Sequence, residues 1–88
     1  MGIPMSLEQD PNFPVDPGKW RAYLKRYCVP PQESRIATGL MLNYSDRQLC
    51  AEINVKLPTL RTYITRLFER TDVSDRVGFI LKAVRETR

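Results

Sequence analysis

SDRQLCAEINVKLPTLRTYITRLFER, residues 45 to 70, holds two helical patterns separated by a short break. In the first, Leu49, Cys50 and Ile53 fall at i, i+1 and i+4, one narrow helix face. In the second, Leu60, Ile64, Leu67 and Phe68 fall at i, i+4, i+7 and i+8, a clean apolar stripe over a helix of about residues 57–70. Asn54-Val55-Lys56 between them carries a turn former and one apolar plug. Two helices joined by so short a turn cross steeply, which is the helix-turn-helix arrangement.

The outer face of the second helix points to a use. With the apolar stripe turned inward, Thr59, Arg61, Thr62, Thr65 and Arg66 point outward, with Tyr63 on the flank. From Lys56 to Arg70 the cations Lys56, Arg61, Arg66 and Arg70 stand against Glu69 alone. A solvated helix face ordinarily mixes both signs. A face of hydroxyls and guanidinium groups can donate to phosphate oxygens and read guanine edges in the major groove of duplex DNA.

The rest of the chain bounds that reading. Its 88 residues make one domain at most, small enough for dimerisation or a partner to supply stability. The formal net charge is +4, unevenly spread. Residues 1–16 hold Glu8, Asp10 and Asp16 and no Lys or Arg, so the positive excess sits in the remainder, where it favours a polyanionic partner through counterion release. There is no histidine, and Cys28 and Cys50 make no metal pattern, so no metal or other cofactor is expected. Cys50 reads as a small core side chain. The carboxylates are scattered and no Gly-rich phosphate loop occurs, so an enzyme is not expected. No apolar run spans a membrane and no basic-then-apolar leader is seen, which makes a cytoplasmic chain without membrane contact the expectation.

In chain order, residues 1–16, with Pro4, Pro11 and Pro14, read as a flexible acidic arm whose isolated apolar residues have no evident docking place. Asp16 and Pro17 suit the cap and first position of an accessory helix over residues 17–29, with Trp20, Tyr23, Leu24, Tyr27 and Cys28 on its packing stripe. Residues 30–88 read as the helix-turn-helix domain proper. Pro30-Pro31-Gln32-Glu33 opens its first helix, with Ile36, Ala37, Leu40 and Met41 inward, and Ser45 caps the next. After a turn at Thr71-Asp72-Val73-Ser74, a last helix begins at Ser74-Asp75. Val77, Ile80, Leu81 and Val84 form its predicted inner stripe, leaving Phe79 and Ala83 off it.

Pro30 to Leu81 resembles the LuxR/GerE-type DNA-binding domain of bacterial transcription regulators. Pro31 and Glu33 fall on the family's opening proline and glutamate. Ser45, Leu49 and Cys50 fall on the serine, isoleucine and alanine of its scaffold helix. Val55 takes the isoleucine before the recognition helix, Thr59-Leu60-Arg61 takes threonine-valine-lysine, and Arg70, Val73 and Arg76 complete the closing pattern. Asn43 stands where the family has glycine, Tyr63 where it has histidine, and Lys56 where it has a Ser or Thr cap. The last change predicts a helix starting one residue later, with Pro58 first.

The resemblance implies an all-α, four-helix domain, here with an additional N-terminal helix, whose third helix enters the major groove of double-stranded DNA. It implies phosphate contacts from Thr59 and Arg66, base contacts from Arg61, Thr62 and Thr65, and backbone contacts from Ser45 and Arg47, with Lys56 adding a cation. It also implies a structural pair between Glu33 and Arg76, and a homodimer through the last helix, at Val77, Ile80, Leu81 and Val84. Residues 1–29 are too short for a receiver or ligand-binding domain, so regulatory input is expected from a partner, dimerisation or expression level. The leading expectation is a sequence-specific transcriptional regulator. One alternative is a protein-interaction module, an anti-activator pairing with a related regulator. The other is a sigma-factor-like promoter-reading domain associated with RNA polymerase.

Overall fold

The computed structural model describes residues 7–88, which form a short 3-10 turn at Leu7–Gln9 and five α-helices, with no strand among the described residues. The helices are α1 (Pro17–Arg26), α2 (Pro31–Met41), α3 (Asp46–Ile53), α4 (Leu57–Thr71) and α5 (Arg76–Glu86). Their radius of gyration, 12.3 Å, is that of a compact chain of this length. None is long and apolar enough to cross a membrane.

The core is built around α2, against which α3, α4, α5 and the 3-10 turn all pack. That central place explains its sequence, because Ile36 to Met41 are all buried. Gly39 faces the Leu49 side chain of α3: a Cβ there would lie 2.5 Å from Leu49 Cδ2 and 3.2 Å from Tyr44 Cδ2. Leu49 is itself fully buried and has little room to yield. The carboxylate of Glu33, 3% exposed, is compensated by Arg70, whose Nε lies 3.2 Å from Glu33 Oε1. An ionised carboxylate is tolerated there because a cation reaches it from α4.

The Glu33–Arg76 pair is therefore a correction: Glu33 is paired with Arg70. Arg76 instead donates to the Tyr44 carbonyl and lies 3.7 Å from Asp46, tying the start of α5 to the loop before α3. Arg70 lies in the last turn of α4 and Arg76 opens α5, six residues on, and only the fold selects between them.

Asp16 caps α1 by accepting from the Lys19 amide at 3.0 Å, with Pro17 in the first turn. Trp20, Tyr23 and Leu24 enter the core. Trp20 is fully buried, its Nε1 donating to Thr38 Oγ1 at 2.9 Å, while Thr38 donates to the Ser34 carbonyl. Tyr23 stacks on Trp20 and Phe13 meets it edge-on. Phe13 and Val15 thus dock on the core, and Glu8 pairs with Arg21 at 3.2 Å. Residues 1–6 of the expected arm lie outside the described residues. Cys28 leaves the packing stripe: α1 has ended, the residue takes φ 53° and its side chain is exposed.

Helix α5 is rotated from its predicted phase. Phe79, Ala83 and Thr87, at i, i+4 and i+8, are buried, whereas Val77 and Leu81 are 67% and 59% exposed, with Ile80 and Val84 half-buried. Val77, Ile80, Leu81 and Val84 are thus not the inner stripe. Phe79 carries the largest apolar side chain of the helix and stacks on Phe68 of α4. Thr87 can follow it inward because its hydroxyl donates to the Ala83 carbonyl at 2.8 Å.

Candidate nucleic-acid interface

Serine 45 and Gln48 define the start of α3. Ser45 Oγ accepts from the Gln48 amide at 3.2 Å and Gln48 Oε1 accepts from the Ser45 amide at 2.8 Å, a reciprocal capping box. The serine-x-x-glutamine spacing signals this in sequence, although Gln48 is not among the predicted site residues. At the other end Asn54 adopts the left-handed conformation, φ 55°, and the Val55 amide donates to the Cys50 carbonyl at 3.0 Å. Asn43, at φ 61°, makes the same kind of bend before α3. Three residues, Asn54 to Lys56, then carry the chain into α4.

Helix α4 begins at Leu57, with Lys56 at its cap and Pro58 second, so the predicted one-residue delay does not occur. No side chain caps it, which leaves its N-terminal amides without a capping acceptor, with the exposed Lys56 at the cap position, a setting that favours an anion. Leu60, Leu67 and Thr71 are buried, with Tyr63, Ile64 and Phe68 half-buried on either side. Thr71 belongs to the helix rather than the turn, its hydroxyl donating to the Leu67 carbonyl at 2.9 Å. The left-handed Asp72, φ 57°, ends α4.

At 3.6 residues per turn, the direction opposite Leu60 and Leu67 falls on a ridge running from Pro58 through Thr62 and Thr65 to Glu69. Arg61 flanks that ridge on one side and Arg66, with Thr59, on the other. All eight predicted contact residues, Ser45, Arg47, Lys56, Thr59, Arg61, Thr62, Thr65 and Arg66, are exposed. The packing of α3 on α4 joins the two segments that carry them.

The electrostatics of this surface are simple. Among the described residues, Arg47, Lys56, Arg61 and Arg66 have no carboxylate within ion-pair distance. No acidic residue occurs between Glu52 and Glu69, and Glu52 is itself paired with Arg35 at 3.2 Å. Thr62 and Thr65 donate their hydroxyls to the carbonyls of Pro58 and Arg61, at 3.2 and 3.0 Å. Such a surface can take phosphate at its edges and offer guanidinium forks and methyl groups at its centre. Among the described residues no group of His, Cys, Asp or Glu is arranged to hold a metal ion.

No family model, curated protein or solved structure matches the chain.

Proposed function

We infer that this protein is a sequence-specific double-stranded DNA-binding transcriptional regulator of the LuxR/GerE-like helix-turn-helix kind, acting in the cytoplasm. In this reading α2 to α5 are the four-helix domain, α1 is the additional N-terminal helix, α3 is the scaffold and α4 enters the major groove. The observation that carries it is the outer face of α4, where Arg61 and Arg66 flank Thr62 and Thr65, all exposed, with neither arginine held by a carboxylate. Arg61, Thr62 and Thr65 meet base edges. Thr59, whose hydroxyl has no partner within the described chain, meets a phosphate together with Lys56 and Arg66. Arg47 and Ser45 approach the backbone of the other strand, Ser45 while its side chain also serves the α3 cap.

A homodimer through α5 completes this reading. Val77 and Leu81, one turn apart and exposed, extend the half-buried Ile80 and Val84 into an apolar surface suited to a second copy. The same exposed pair supports the second reading, an interaction module that pairs with a related regulator or with RNA polymerase.

The test is selection from a random duplex pool at low and moderate salt, with solution mass measured in parallel. A palindromic site with half-sites about one helical turn apart and a dimeric mass are expected. Weak, unselective binding lost with salt would overturn the regulator reading and favour the partner module.

A further inference from the structure

We propose that the ridge of α4 selects thymine by its 5-methyl group, through the methyl groups of Thr62 and Thr65. This rests on the duplex-DNA reading above. Both threonines commit their hydroxyl hydrogens to carbonyls of their own helix, Thr62 to Pro58 and Thr65 to Arg61. A hydroxyl so engaged has no hydrogen left for a base edge. The oxygen can still accept, but the Cγ methyl is the one group of each residue that can complement an apolar feature of a base.

The placement strengthens the point. Thr62 and Thr65 occupy the centre of the outward ridge, in line with the Pro58 ring, while the two arginines stand to either side. From Pro58 to Thr65 the central strip therefore offers carbon beside the engaged hydroxyls, Glu69 closes its far end, and the flanks offer positive charge. Threonine is a poorer helix former than alanine, leucine or lysine, so two of them at exposed positions gain nothing from local propensity. They gain nothing from core packing either, since both are exposed. Thr71 and Thr87 make the same backward hydrogen bond but are buried, where it satisfies the hydroxyl and lets the methyl pack. The same device on the outer face leaves the methyls without a partner inside the chain.

In the major groove thymine is the one standard base that projects a methyl group, and a threonine methyl is a recognised complement to it. Cytosine at the same place offers an amino donor and no methyl. A ridge of this composition thus favours thymine at the central positions of a half-site and guanine beside them, under the Arg61 fork.

The experiment starts from the site selected out of the random duplex pool and replaces each thymine in turn with deoxyuridine, which removes only the 5-methyl group. One or two positions per half-site are expected to lose affinity by about fourfold each, the partition equivalent of one buried methyl group. Thr62→Val and Thr65→Val, which keep the branched shape and a methyl at the same place, should bind the thymine site about as well as the parent. Thr65→Ser should lose about the same factor and become indifferent to deoxyuridine at its position, with helicity by circular dichroism unchanged. Deoxyuridine tolerated at every position, a selected site without central thymine, or serine variants that bind as well as the parent would each overturn the proposal while leaving the regulator reading standing. Failure to select any site would overturn both.

Discussion

Five arginines of this protein end on a carboxylate and four cations of the α3–α4 surface do not. Arg21, Arg26, Arg35, Arg70 and Arg76 reach Glu8, Glu86, Glu52, Glu33 and Asp46. Four of these pairs join different α-helices, and the fifth ties the 3-10 turn before α1 to α1. Arg47, Lys56, Arg61 and Arg66 have no such neighbour. Other cations lack a carboxylate partner too: Lys25 is exposed on α1, Lys19 and Arg88 line a hollow that also holds Glu86, Arg85 lines one that also holds Asp72 and Asp75, and Lys82 donates to the Thr71 carbonyl. Lys56, Arg61 and Arg66, by contrast, share a stretch with no acidic residue between Glu52 and Glu69, and Arg47 is exposed on the adjoining helix. The lesson is that charge in this chain has two separable uses. On most of the surface it fastens helices together, and on one face it is held out to solvent, where its value must come from something outside the chain.

Substitutions can break or sharpen that contrast. The largest effect belongs to the fastened side: Trp20→Ala removes a fully buried indole and its bond to Thr38, and should cost about 3–5 kcal/mol, enough to unfold much of the population in a chemical denaturation series. Arg70→Ala should cost about 2 kcal/mol by the same measurement, because it leaves the Glu33 carboxylate buried without its cation; the figure is below that of a fully buried pair since Arg70 retains solvent contact. On the held-out side, Arg61→Ala and Arg66→Ala should leave the melting curve within about 0.5 kcal/mol of the parent. Arg61→Ala should nonetheless lose about 1–3 kcal/mol of discrimination at one base position in competition binding, whereas Arg66→Ala should weaken all sequences alike and reduce the salt slope by about 1. If either variant unfolded the protein, the division between the two uses of charge would fail.

The smallest effect concerns Tyr23. Burial, and then the nearby charges of Glu86 and Tyr27, push its phenol well above the ordinary 10.0. Its hydroxyl is buried without a hydrogen-bond partner among the described residues. The folded chain holds that proton to higher pH than the unfolded chain, so the contribution is complete below about pH 10 and is lost as pH rises beyond it. Tyr23→Phe should therefore flatten the alkaline fall in stability and, by removing an unpartnered hydroxyl, gain about 1 kcal/mol at neutral pH. A denaturation series at pH 7 and at pH 11 reads both effects.

Much of the fold was legible because local chemistry marked its joints. Asp16, Ser45 and Asp75 are capping residues and act as caps, and Asn43 and Asn54 take the left-handed bends that flank α3. The exposure of Thr59, Arg61, Thr62, Thr65 and Arg66 was legible for a related reason, since the strong stripe of α4 leaves one opposite face. Helix α5 was misread because it is apolar on two sides. Val77, Ile80, Leu81 and Val84 make as regular a stripe as Phe79 and Ala83, and the third member of the true stripe is polar Thr87. Periodicity cannot weigh one large ring against several aliphatic side chains, nor foresee that a hydroxyl will be satisfied by its own helix. The partner of Glu33 was illegible for want of geometry: Arg70 and Arg76 are near one another in sequence, and α4 rather than α5 brings its arginine to the carboxylate. The docking of Phe13 on Trp20 carried no periodic signal at all.

Gly39 has a consequence for how this fold tolerates change. Because a single hydrogen there lets Leu49 and Tyr44 close on α2, the seating of α3, and through Asn54 to Lys56 the aim of α4, depends on a site where no side chain fits unless its neighbours shift. A map of accepted substitutions would be permissive along the outer ridge of α4, where altered groups retune what is touched. At position 39 it would be restrictive, since any side chain there meets those of Leu49 and Tyr44, which must shift to admit it.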